Sequence, residues 1–88
     1  MTTLAVPTVH LNGTSKNDLL DQFCEAINSL HQAGRALAKA APNGRDYYVQ
    51  PGNSIAVAID QHDARMNKLR EVVSELEEIA MAVSDQGS

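Results

Sequence analysis

The residues best equipped for chemistry sit together in one short segment, Arg45-Asp46-Tyr47-Tyr48-Val49-Gln50, which holds both tyrosines of the chain. Arginine offers a planar fork of five donors that suits phosphate or carboxylate. A tyrosine can stack on a flat ring or anchor a protein partner. Two turn signals, Pro42-Asn43-Gly44 and Pro51-Gly52-Asn53, bracket the segment and predict a loop, a common place for binding residues held by rigid elements. A plainer reading has a tyrosine closing the end of the fold while Arg45 pairs with Asp46.

Other candidates for chemistry are weaker. His31 and His62, with Asp60 and Asp63 close to the latter, contain zinc-ligating types. No His-x-x-x-His pair shares a helix face, however, and no third ligand stands at a defined spacing, so no metal site is expected. Cys24 is the only cysteine, which excludes an internal disulfide, and it reads as a small core residue. No phosphate loop, nucleophile elbow or dinucleotide fingerprint occurs. The expectation is a protein that is not an enzyme and uses no cofactor.

Composition narrows the partners. The 88 residues carry seven basic and eleven acidic side chains, a net charge of −4, which argues against binding duplex nucleic acid. Arg65, Lys68 and Arg70 form a local basic group, and every charge after Arg70 is negative. Nothing approaches the ~20 apolar residues of a membrane span, and the start, MTTLAVPTVHLNG, has no basic region before a long apolar run. A cytoplasmic protein with no membrane contact is expected.

Two long helices must position the loop. Thr14 or Ser15, after the Asn12-Gly13 turn, can cap a first helix over residues 15–41, with Asp18 in its first turn. Leu20, Phe23, Ile27, Leu30, Gly34, Leu37 and Ala41 recur at alternating spacings of three and four, and Pro42 ends the run. Ser54 is expected to cap a second helix over 54–84, striped by Ile55, Ile59, His62, Met66, Leu69, Val73, Leu76, Ala80 and Val83. Both stripes have the 3.5-residue repeat of coiled coils. Residues 1–13 form an apolar arm, extended or an edge strand because Pro7 forbids a central one. The terminal Asp-Gln-Gly-Ser is expected to fray.

The predicted fold is therefore all-α: a long antiparallel two-helix hairpin with a short extended N-terminal arm, loop 42–53 and coiled-coil-like packing. Aligning the stripes around the loop sets Gly34 near His62, Ile27 near Leu69, Phe23 near Val73 and Leu20 near Leu76. It also brings His31 within about a turn of His62. Val72 and Ile79 widen the second stripe beyond what one partner helix covers, and the core is alanine-rich with no tryptophan. A chain this short gains stability when subunits share a core, so a homo-oligomeric bundle is expected.

Two segments, HLNGTS at 10–15 and APNGRDYY at 41–48, resemble small, largely uncharacterised accessory proteins of tailed bacteriophages and prophages, over most of the chain. The resemblance implies a phage origin and brings no assigned catalytic residues. The expected function is non-catalytic binding that counters host defence by sequestering a small anionic, nucleotide-derived signal. Arg45 would clamp phosphate, Tyr47 or Tyr48 would stack on the base, and Asn12 or Thr14 would add hydrogen bonds from a neighbouring arm. The alternative is a protein–protein module that inhibits a host defence protein or serves virion assembly.

Overall fold

In the computed structural model, which describes residues 3–87, helix α1 spans Lys16–Lys39 and helix α2 spans Ser54–Ser84. The two pack along their lengths as an antiparallel hairpin, and the described residues contain no strand.

The start of α1 follows from Ser15. Its backbone is extended, and its hydroxyl oxygen accepts from the Asp18 N–H at 3.1 Å, satisfying one of the donors a helix start leaves open. The helix ends sooner than the apolar stripe suggests. The Ala40 and Ala41 N–H groups bond back only three residues, to Leu37 and Ala38, tightening the last turn before Pro42. Ala41 is pushed out of the helical region by the proline that follows. At α2 the expected cap is displaced. Ser54 is already helical, and its hydroxyl donates to the Pro51 carbonyl at 2.9 Å, so it caps nothing. Asn53 holds the cap position without a side-chain hydrogen bond to the helix. The turn before it needs Gly52, whose φ of +72° disfavours any side chain.

The stripes face each other, with a register one heptad away from the symmetric alignment. A Cβ on Gly34 would stand 3.3 Å from Leu69 Cδ2, so Gly34 lies against Leu69 and not His62. At the far end Lys16 Nζ donates to the Gln86 carbonyl at 2.6 Å, which is the same register. Both alignments keep the apolar seam closed, because the stripe repeats every seven residues. The first two turns of α2 therefore extend beyond the end of α1, and the loop folds back over them. That accounts for a connection of fourteen residues, 40–53, where two to eight is usual. The shift also separates the histidines: ten residues of helix, about 15 Å, lie between His62 and the part of α2 opposite His31.

The arm is extended and lies on α2 of its own chain, with Leu4, Pro7 and Val9 half-buried. Gln86 holds it: the side-chain amide donates to the Pro7 carbonyl at 2.7 Å and accepts from the Val9 N–H at 2.8 Å. The chain end is thus pinned at Gln86 instead of frayed. Met1, Thr2 and Ser88, which the arm and tail expectations also included, lie outside the described residues.

Little of this hairpin is interior. Among the described residues only Val83 and His62 are buried. The radius of gyration is 18.7 Å and the extents are 62 × 26 × 17 Å. A compact chain of this length would have a radius near 12 Å by the usual size scaling, roughly 2.2·N^0.38 Å.

Candidate functional site

The loop is ordered by its own hydrogen bonds. Asn43 Oδ1 accepts from the Arg45 N–H at 2.9 Å and starts a single 3-10 turn at Gly44–Asp46. The Gly44 carbonyl accepts from both the Tyr47 and Tyr48 N–H groups, at 3.1 and 3.0 Å, and the Tyr47 carbonyl accepts from Gln50 at 3.0 Å. A loop stitched this way presents its side chains from a fixed frame.

The two tyrosines divide their roles. Tyr47 is half-buried and borders a shallow hollow of about 420 Å³ with Gln50, Asn53, Ser54, Val57 and Gln61. It closes the end of the hairpin over the start of α2. Tyr48 is 80% exposed and its neighbour Val49 is 76% exposed, so both project from the tip. The side chain of Arg45 is exposed as well. The hollow abuts the first turn of α2, whose N–H groups have no side-chain cap and carry the positive end of the helix dipole.

Asn12 and Thr14 are exposed at the opposite end of the molecule. The 24 residues of α1, about 36 Å of helix, separate them from the loop. One chain brings Arg45, Tyr47 and Tyr48 together and leaves Asn12 and Thr14 apart from them. At their end the chain turns sharply, with the Gly13 N–H donating to the His10 carbonyl at 3.1 Å. A Cβ at Gly13 would lie 2.7 Å from His10 Nε2, so the exposed imidazole would have to swing away from any side chain placed there. Leu11, at the tip of this turn, is exposed.

Cys24 is exposed and is not the core residue expected, because it sits one position off the seam defined by Phe23 and Ile27. Among the described residues no group of three or more His, Cys, Asp or Glu could hold a metal ion. No helix among them is long and apolar enough to cross a membrane.

A second concavity, of about 470 Å³, runs along the side of the hairpin and was not foreseen. Leu30, Gly34, Met66, Leu69 and Val73 form its floor, and His31, Arg35, Arg70 and Glu77 its rim. No family model, curated protein or solved structure matches the chain.

Proposed function

We propose that this chain is a non-catalytic, phage-type accessory protein that sequesters a small anionic, nucleotide-derived ligand in the host cytoplasm. The observation that supports this reading best is the loop end of the hairpin. An exposed guanidinium and an exposed aromatic ring stand on a hydrogen-bonded frame, beside a hollow that adjoins an uncapped helix start. Arg45 supplies charge and bidentate donors for phosphate, and Tyr48 supplies a flat face for a base. Small-ligand sites bury most of their ligand, which the loop of one chain does not do. The reading therefore has a second copy contribute Asn12 and Thr14 and close the site.

Native mass spectrometry of the purified chain with a panel of cyclic and linear nucleotides tests this. The expected result is an oligomer that gains nucleotide mass in fixed ratio, with the gain lost in Arg45→Ala and in Tyr48→Ala. Binding that survives both substitutions removes the loop from the site.

A second reading is favoured by Val49, which an anion site does not use. Tyr48 and Val49 together form an apolar projection of the kind that anchors protein interfaces, with Arg45 beside it. In this reading the loop tip docks on a host defence protein or a virion component. A photo-crosslinking residue at position 49 separates the two: a stoichiometric adduct from host lysate supports the protein partner.

A further inference from the structure

The hairpin exposes far more surface than a folded chain of its mass should. Its accessible area is 6722 Å², whereas the general scaling for monomers of 9.5 kDa gives about 5,000 Å². The excess, about 1,700 Å², is roughly twice the ~800 Å² that each partner contributes to a standard stable interface. A surface for at least one further partner is therefore available, and the exposed face of α2 beside the groove indicates which partner fits.

Along that face two pairs of residues are placed symmetrically. Met66 with Met81 and Arg70 with Glu77 are symmetric about a centre between residues 73 and 74, where Val73 reflects onto Ser74. Position 66 reflects onto 81, a methionine onto a methionine. Position 70 reflects onto 77, a cation onto an anion. These residues fall on one stripe of the helix, since the spacings are four, three, four and four. Met66, Arg70, Val73 and Glu77 border the groove, and Met81, next in the stripe, is 67% exposed.

We infer that this face docks on the same face of a second copy, with α2 packed antiparallel to the partner's α2 about a two-fold axis between residues 73 and 74. An isologous interface requires that residue i meet j while j meets i, and the two symmetric pairs meet that condition. Met66 then packs on the partner's Met81, and Arg70 faces the partner's Glu77. In the observed register Arg35 of α1 stands two residues, about 3 Å of helix, from the level of Arg70 and borders the same groove, so the partner's Glu77 approaches two guanidinium groups. The Arg70 guanidinium is steadied by a 2.8 Å hydrogen bond to Asn67 Oδ1. Gly34 and Ala38 are the small residues on the α1 side of the groove, which leaves room for a helix to enter. The same axis sets the partner's Gln86 level with Gln61, so the arm end of one copy meets the loop end of the other. This inference stands whether the loop binds a nucleotide or a protein.

Charge reversal and its repair test the arrangement, measured by sedimentation equilibrium of the full chain at low salt with helicity followed by circular dichroism. The wild type is expected to be dimeric, or an even-numbered assembly of such dimers. Arg70→Glu and Glu77→Arg should each weaken the dimer by about tenfold or more, since each change acts twice across the axis. The double variant, Arg70→Glu with Glu77→Arg, should bind at least about threefold tighter than either single variant but stay weaker than wild type, because Arg35 then faces an arginine. If the hairpin needs its partner to fold, each single variant loses helicity and the double variant regains part of it, which supports the pairing equally. A wild type that is monomeric at about 100 µM overturns the inference. So does association that neither reversal weakens, or a double variant as weak as the singles.

Discussion

The side-chain amide of Gln86 bridges two backbone groups of the arm, donating to the Pro7 carbonyl and accepting from the Val9 N–H. The pair of bonds imitates what a neighbouring strand would offer an extended segment. It ties residues 77 and 79 positions apart in the chain. Gln86→Ala should cost about 1–2 kcal/mol, near 1 kcal/mol for each bond lost. Hydrogen exchange at the Val9 amide should accelerate with it. Gln86→Glu keeps an acceptor for Val9 but turns a carboxylate oxygen toward the Pro7 carbonyl, so it should cost at least as much as Gln86→Ala. An unchanged Val9 exchange rate in Gln86→Ala would show that the arm is held by Leu4 and its other apolar contacts alone.

Gly34 sets how closely the helices approach. Alanine there gains about 1 kcal/mol of helix propensity, against a Cβ 3.3 Å from a Leu69 methyl that must yield by a few tenths of an ångström. The net change in unfolding free energy should stay within about 1 kcal/mol, because the neighbour is the end of a flexible side chain. Gly34→Leu has no such escape and should cost about 1–3 kcal/mol. Adding Leu69→Ala to Gly34→Leu should recover part of the loss, because the two side chains compete for one space. Urea titrations of these variants and of Leu69→Ala alone decide it, and purely additive losses would contradict the contact.

The adjacent tyrosines should respond differently to the same substitution. Tyr47→Ala empties a half-buried position over the start of α2 and should lower stability by about 1–2 kcal/mol. Tyr48→Ala should change it by less than about 0.5 kcal/mol, as expected for an exposed residue. Binding should show the reverse order, with Tyr48→Ala the more damaging on a per-stability basis. Equal thermal shifts for the two would contradict the division of roles.

The loop's glycines make a similar contrast. Gly52 has φ +72°, and alanine there should cost about 1 kcal/mol for the left-handed backbone. Gly44 has no atom within 4 Å of an added Cβ and no positive φ, so Gly44→Ala should be neutral or slightly stabilising. Thermal unfolding of the two variants under one condition is sufficient. A larger loss at Gly44 would point to a contact of the loop with another chain.

Much of the fold was legible because it is periodic. Leu20 to Leu37 and Met66 to Val83 repeat at helical spacing, and Ser15 and Pro42 punctuate the first helix. The same periodicity hid the register. A seam that repeats every seven residues accepts Gly34 against His62 or against Leu69, and only the loop folding back over α2 decides between them. The hold of Gln86 on the arm left no trace in the sequence, since an amide bonding to distant backbone needs no particular neighbours. The loop candidates were legible from residue type alone. That Tyr47 faces inward and Tyr48 outward depends on the 3-10 turn that Asn43 starts, which spacing does not reveal.

Because Gln86 holds both Val9 and, through its carbonyl, Lys16, the start of α1 and the end of α2 are clasped at one corner. Tension applied across that corner would open the hairpin one contact at a time, from the clasp toward the loop, as a zipper opens. Tension between the corner and the loop would instead load the whole seam in shear. The molecule is therefore mechanically weak in one direction and strong in the other, and the loop end is the last part to feel a pull across the clasp.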